Sequence, residues 1–191
     1  TLGEQNIGCA PLPWVIPQPM AMITNKKIDL FNSNVSHYQM MKDLQMQWKQ
    51  WSAQKPGIFI TYNGHAFDEE MVRRQFFWNL LEPYTTNTNG NGRLDLMLMI
   101  HNIAAFFSDE ISMPLFEGGP GISYKLEHLA IEHGIDAGDA HDAIADCNLM
   151  IEMCRIIKER LPEVFQSFVN ISTKPGVKEL LHSEDFLALG E

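Results

Sequence analysis

The chain has 191 residues, 45% of them hydrophobic, which is enough to bury one core of ordinary size without disulfides or structural metals. No stretch approaches the roughly 20 consecutive apolar residues that a membrane-spanning helix needs, and no basic-then-apolar segment resembles a secretion signal. We therefore expect a soluble, cytoplasmic protein with no membrane partner. The formal net charge of -10 argues against a free-standing nucleic-acid binder, since polyphosphate affinity normally comes from clustered lysine and arginine.

The first part of the chain predicts one helix, one strand and a second helix after an irregular start. Residues 1–25 contain four prolines, which predicts extended chain with at most a short edge strand. Residues 36–54 repeat apolar side chains at helical spacing, and Ser36 is a suitable N-cap. The β-branched and aromatic residues 58–62 predict a buried strand, and a second helix is expected over residues 68–81.

The rest of the chain is predicted to be mostly helical. We expect helices over residues 94–107, 124–133, 139–160 and 162–168. Residues 108–123 are rich in glycine and proline and predict a long irregular loop, a kind of segment that often carries function. The helix over residues 139–160 is apolar nearly all round, which predicts deep burial.

One candidate site begins where the predicted strand ends, at residues 62–70 with the sequence YNGHAFDEE. Ligands in open α/β sheets collect at such strand ends. Asp68 opens the following helix and is therefore a candidate functional carboxylate. The alternative is structural, because an acidic residue at a helix start caps free N–H groups and complements the helix dipole.

A second candidate site is the sequence HDAIAD at residues 141–146. Five helical positions rotate the chain by about 500°, so His141 and Asp146 cannot share one face of a helix. His141 therefore belongs to the approach loop or cap, while the helix holds Asp146 rigidly. This division suits a general base paired with a fixed metal ligand. An equal alternative is a capping Asp139 beside an incidental histidine.

Both blocks have the order and spacing of a known enzyme family. Together with RLDL at residues 93–96 and SYKLEHL at residues 123–129, they resemble the exonuclease I family of DEDDh-type 3′→5′ exonucleases. The match covers most of the chain. Within it, Asp68 resembles the carboxylate of the family's second motif, His141 the general base and Asp146 the last carboxylate.

The resemblance implies an α/β fold of the ribonuclease H-like type, with a mixed sheet flanked by helices. It also implies two Mg²⁺ ions, or Mn²⁺ in their place, held by Asp68 and Asp146 among other acids, with His141 as a catalytic base. The implied reaction is hydrolysis of single-stranded DNA from the 3′ end, which releases nucleoside 5′-monophosphates. Asn63 and His65 are expected to touch the terminal nucleotide, although His65 is equally well explained as a plain surface residue.

The family's first motif, an Asp-x-Glu on the first and central strand, is not found. Glu4 has Leu2 rather than an aspartate two positions before it. With only Asp68 and Asp146 left, Mg²⁺ should bind weakly, so we predict that this chain is inactive or nearly so. The missing strand would leave sheet edges unpaired, which predicts a homodimer that fills the gap, with residues 186–189 as the donated strand.

The predicted organisation is a partial exonuclease domain over residues 1–170. Residues 171–191 are then a linker and the start of a following SH3-like domain. A chain truncated at both ends would explain its negative charge, because the cationic DNA-holding surface would lie elsewhere. Two alternatives remain: an RNA exonuclease of the oligoribonuclease type, and a non-catalytic protein on the same fold that binds nucleic acid or a partner.

Overall fold

A small parallel sheet organises the molecule. The computed structural model of the protein describes residues 3–25, 28–136 and 143–183. Strand β1 (Ile58–Thr61) pairs in parallel with strand β2 (Gly92–Asp95), so that Thr61 lies opposite Asp95. Because parallel strands end at the same sheet edge, the segments that follow β1 and β2 meet there.

Helices make up most of the remaining described chain. They are α1 (Pro19–Asn25), a 3-10 helix (Ile28–Asn32), α2 (His37–Trp51), α3 (Asp68–Trp78), α4 (Leu96–Phe106), α5 (Leu126–Glu132), α6 (Ala143–Arg160), α7 (Pro162–Asn170) and α8 (Lys174–His182). None of the described helices has the length and hydropathy that crossing a bilayer requires.

The core lies between β2 and helices α4, α5 and α6. Its buried side chains are Leu94, Leu96, Met99, Ile100, Ile103, Ile111, Leu129, Met153 and Ile157. Helix α4 contributes four of them within eight positions, and Leu96, Met99 and Ile103 are fully inaccessible to solvent. The residues directly after β2 are therefore the best-anchored part of the molecule.

Local sequence signals located most of the helices correctly. The Ser36 hydroxyl accepts a hydrogen bond from the Gln39 N–H at 3.1 Å, so α2 has the predicted cap. Helix α3 begins at Asp68 as predicted and ends at Trp78, before the predicted limit. The prediction of extended chain was wrong at Pro19, which opens α1, because proline is well tolerated in the first turn of a helix.

Two further predictions need correction. Residues 94 and 95, where the helix over residues 94–107 was predicted to begin, belong to β2, because pairing with β1 outweighs the local helical pattern. Residues 174–176, predicted as linker, form the first turn of α8 after the Thr173 cap. The predicted strand at residues 186–189 lies outside the described residues.

Burial is less complete than predicted at the strand and at the long helix. Ile58 and Ile60 of β1 are 37% and 36% exposed, since β1 has a described neighbour, β2, on one side only. In α6, Met153 and Ile157 are buried while Ile151 is 46% exposed. One face of α6 therefore packs on the core and the opposite face remains apolar and open.

Candidate active site

A buried carboxylate on β2 holds the turn that connects β1 to α3. Asp95 is 4% exposed, and its Oδ1 accepts a hydrogen bond from the Asn63 N–H at 2.8 Å. Its Oδ2 accepts from the His65 N–H at 3.1 Å, and Oδ1 also accepts from the Met97 N–H as the N-cap of α4. One side chain thus fixes both the turn at residues 62–67 and the start of the core helix.

Close packing further restricts this turn. Asn63 has a φ of 58°, in the left-handed region that asparagine tolerates better than most residues. A Cβ atom on Gly64 would lie 2.3 Å from the Thr61 Cβ, far inside van der Waals contact. Only glycine therefore fits at position 64 without a shift of the strand end.

Two carboxylates from distant parts of the sequence face one cavity at this strand end. Asp68 is the first residue of α3, and Asp146 lies in the first turn of α6. Both line a cavity of about 620 Å³, together with Ile60, Thr61, Tyr62, Lys125, Leu126, Glu127, Ala143, Cys147 and Met150. Ionised carboxylates are favoured near helix starts, because free N–H groups and the positive end of the helix dipole lie there.

Tyr62 closes one wall of this cavity. Its hydroxyl donates a hydrogen bond to the carbonyl oxygen of Tyr124, the second residue before α5. Burial, and then the negative charge of Asp95, raise the pKa of the Tyr62 hydroxyl above its ordinary value. Tyr62 is therefore a neutral hydrogen-bond donor at physiological pH and ties the end of β1 to the segment that carries Lys125.

The predicted site residues are only partly brought together. Asp68 and Asp146 share the cavity, whereas His141 lies outside the described residues. Asn63 is exposed and does not line the cavity of the two aspartates. His65 lines a different cavity, and its Nε2 lies 3.2 Å from the Glu69 carboxylate.

The metal site that the family resemblance implies is incomplete in this part of the chain. Within residues 3–25, 28–136 and 143–183, no three His, Cys, Asp or Glu side chains are grouped closely enough to hold a metal ion. Asp68 and Asp146, even with Glu127 on the same cavity, therefore do not fit a two-ion centre by themselves.

Two structural features of the site were missed from the sequence. Asp95 had no assigned role, although an aspartate directly before an apolar helical run is a recognisable N-cap signal. Glu69, only 8% exposed at its side chain, forms an ion pair with Arg93 across the turn. That pair could not be read from the sequence, because Glu69 and Arg93 meet only after β1 and β2 have paired.

Known proteins are similar to this chain in sequence and in structure. Exodeoxyribonuclease I of Haemophilus influenzae is 35% identical over 123 residues, which are 64% of this chain and 26% of that protein. Exodeoxyribonuclease I of Escherichia coli is 33% identical over 134 residues, 64% of this chain and 28% of that protein. The crystal structure of Escherichia coli exonuclease I in complex with a dA16 oligonucleotide matches with a TM-score of 0.82 at 26% identity. That match covers 94% of this chain and 38% of the solved one.

The chain is similar to exodeoxyribonuclease I in sequence and in fold. This confirms the predicted family resemblance and the α/β, ribonuclease H-like fold class. Escherichia coli exonuclease I has also been solved with a zinc ion and single-stranded DNA, at a TM-score of 0.77 to this chain. No family model matches the chain. The chain spans about a quarter of the length of its exodeoxyribonuclease I relatives.

Proposed function

We propose that this chain is the part of a metal-dependent 3′→5′ exonuclease domain that contributes the last two carboxylate motifs. The substrate would be single-stranded DNA, and the products nucleoside 5′-monophosphates. The observation that carries the proposal is the shared cavity of Asp68 and Asp146, which are distant in sequence and lie at the positions that resemble the family's metal ligands. The exodeoxyribonuclease I relatives support the choice of DNA.

We assign Asp68 and Asp146 as metal ligands and His141, which precedes α6, as the general base. Mg²⁺, or Mn²⁺ in its place, would supply charge neutralisation at the scissile phosphate when bound. Asp68 and Asp146 alone leave most of the coordination of such an ion to water, and Mg²⁺ binds weakly through so few carboxylates. We therefore propose that the chain by itself binds a cation weakly and is inactive or nearly so.

Cation binding and hydrolysis can be measured separately on the same protein. Binding of Mn²⁺ would be followed by electron paramagnetic resonance, and hydrolysis on labelled single-stranded DNA and RNA of equal length with Mg²⁺. We expect weak Mn²⁺ binding that Asp68→Asn or Asp146→Asn abolishes, with no appreciable hydrolysis. Asp29→Asn, in the short 3-10 helix, removes the same charge elsewhere and should leave binding unchanged.

Each result has a distinct meaning. Mn²⁺ binding that is unaffected by Asp68→Asn and Asp146→Asn contradicts the assigned site. DNA hydrolysis that Asp146→Asn abolishes contradicts the proposed inactivity while supporting the exonuclease assignment. Cleavage of RNA in preference to DNA would favour the oligoribonuclease alternative.

The open edge of β1 favours a second proposal, that two copies of the chain pair. Ile60 and the outer face of α6 form a groove of about 360 Å³ with a mostly apolar lining, which consists of Cys147, Met150, Ile151, Cys154 and Phe165 together with the cationic Arg155 and Lys158. Among the described residues β1 is paired on one side only. An unpaired strand edge is a template for another strand, and a second copy can supply one. The groove also fits the non-catalytic, partner-binding alternative.

Sedimentation velocity across a concentration series tests the pairing. We expect a dimer that Ile60→Lys dissociates, because the change removes an apolar side chain and adds a third cation beside Arg155 and Lys158. Leu98→Lys, at a 48% exposed position of α4, is the matched control and should leave the dimer intact. A compact monomer at all concentrations contradicts the homodimer.

A further inference from the structure

A second cavity, of about 590 Å³, lies beside the same turn that leads to Asp68. It is formed by the turn at residues 62–67, by the chain around β2 and by α8. His65, Arg93, Lys174 and Lys178 line it, and no acidic residue of the described ranges does. The whole chain has a net charge of -10, whereas the described lining of this cavity is positively charged.

The positive charge comes mainly from two lysines on α8. Lys174 and Lys178 are exposed and lie one helical turn apart, so that both face the cavity. Neither forms an ion pair with any residue that the structure describes. Arg93, by contrast, is paired with Glu69. The cavity therefore offers two ammonium groups whose charge is not compensated within the described chain.

The fold holds these lysines firmly against the sheet. The Arg93 N–H donates a hydrogen bond to the carbonyl oxygen of Ser172 at 2.8 Å, which places the chain before α8 beside β2. A Cβ atom on Gly176 would lie 1.7 Å from the Asn170 carbonyl oxygen, so only glycine allows α8 to begin this close to α7. The cationic face is thus part of the folded domain.

The lining also has an apolar component. Val177 and Leu181 line the same cavity and are 40% and 56% exposed. They lie on the face of α8 that carries the lysines, since residues three and four apart are neighbours on a helix. Two ammonium groups match the phosphates of a nucleic acid, and the exposed aliphatic side chains beside them offer apolar contact to its sugars.

We propose that this cavity binds the phosphodiester backbone of a single-stranded nucleic acid whose end reaches the cavity of Asp68 and Asp146. The proposal deepens the proposed function and rests on it for the identity of the ligand. Tyr62 lines the first cavity and His65 the second, so the turn between them connects the two. His65, predicted as a contact to the terminal nucleotide, would on this account contact the strand farther from its end.

Fluorescence anisotropy with a labelled oligothymidylate tests this in EDTA, so that neither metal binding nor cleavage contributes. We expect Lys174→Gln/Lys178→Gln to bind roughly tenfold more weakly at low salt. The slope of log K against log salt should fall in magnitude by about 1.4, as two lost phosphate contacts on a single strand predict. Lys42→Gln/Lys49→Gln, on α2, removes the same charge and serves as the control. The same anisotropy measurement is made with a labelled oligouridylate in place of the DNA. Inorganic polyphosphate is then added as a competitor for the labelled DNA.

The outcomes separate this inference from the proposed function. Equal binding by both double variants, or no binding by the wild-type chain, overturns the inference even where Mn²⁺ binds at Asp68 and Asp146. Loss of DNA binding in Lys174→Gln/Lys178→Gln alone supports it, even where those aspartates bind no Mn²⁺. Polyphosphate competing as well as DNA would show bare anion attraction and would also overturn it.

Discussion

The Asp95 carboxylate accepts a hydrogen bond from the Asn63 N–H at 2.8 Å, which ties the end of β2 to the turn after β1. The same carboxylate caps α4, whose side chains form the centre of the core. The geometry of the candidate active site and the stability of the core are therefore set by one residue that has no place on the cavity wall.

Asp95→Ala should lower the free energy of unfolding by about 2–4 kcal/mol, because one cap and two further charge-assisted hydrogen bonds are lost from a buried position. Urea denaturation measures this loss in the free energy of unfolding. Ser36→Ala removes a single exposed cap bond and should cost about 1 kcal/mol, which makes it the matched control. Equal losses in Asp95→Ala and Ser36→Ala would show that the turn does not depend on Asp95.

Gly64→Ala should destabilise the protein by about 1–3 kcal/mol, since the new methyl group would overlap the Thr61 side chain. The change should also shift Asp68, and with it Mn²⁺ binding. Gly57→Ala is the control, because a Cβ atom at Gly57 meets nothing within 4 Å. Urea midpoints of the two variants give the comparison, and a Gly64→Ala protein as stable as Gly57→Ala would refute the close contact.

Tyr62 should make stability depend on alkaline pH. Its pKa is raised in the folded state, so the stabilisation is fully present below the ordinary tyrosine pKa of about 10 and is lost as the pH rises above it. Tyr62→Phe should cost about 1 kcal/mol at pH 8. At pH 11 the wild type should have lost roughly 1.4 kcal/mol that the variant keeps, so the deficit should disappear or reverse slightly.

Denaturation of the wild type and Tyr62→Phe at both pH values provides the measurement. Comparing the two proteins at each pH cancels the titration of the other tyrosines and the lysines. Tyr38→Phe, at a 48% exposed position, removes a tyrosine hydroxyl from the surface and serves as the control. A Tyr62→Phe deficit that stays constant from pH 8 to pH 11 would falsify the raised pKa.

Cys154 should react with iodoacetamide far more slowly than an ordinary thiol. Burial raises the pKa of the Cys154 thiol to about 11, so about 0.1% is thiolate at pH 8, against roughly a quarter for a pKa of about 8.5. We expect labelling at least 100-fold slower than in urea, on the order set by that ratio. Mass spectrometry of the Cys9→Ser/Cys147→Ser protein isolates this cysteine. Equal rates in buffer and in urea would contradict its burial.

The sequence was most informative where structure is decided locally. Helix α2 followed from its apolar spacing and from Ser36, and α3 from Asp68, because caps and periodicity act within a few residues. Strand β2 was missed because it has only four residues and runs directly into α4, although Asp95 at its end is a recognisable N-cap. Its strand character comes from pairing with β1, which lies in another part of the sequence.

The same distinction applies to the candidate site. The order of the motifs predicted that Asp68 and Asp146 belong together, and both line one cavity. That His65 lines the second cavity could not be predicted, because the opposite wall of this cavity is α8, whose first residues were taken for a linker. The functional role of these residues remains a prediction.

The parallel pairing of β1 with β2 also has a kinetic consequence. A parallel pair cannot close as a hairpin, so α3 and the loop after it must form between the two strands before the Gly92 N–H can donate its hydrogen bond to the Gly57 carbonyl oxygen. Such non-local closure is slow compared with helix formation. During that delay both edges of β1 are open. The exposed strand can then pair with another chain, so aggregation is favoured before β2 has docked.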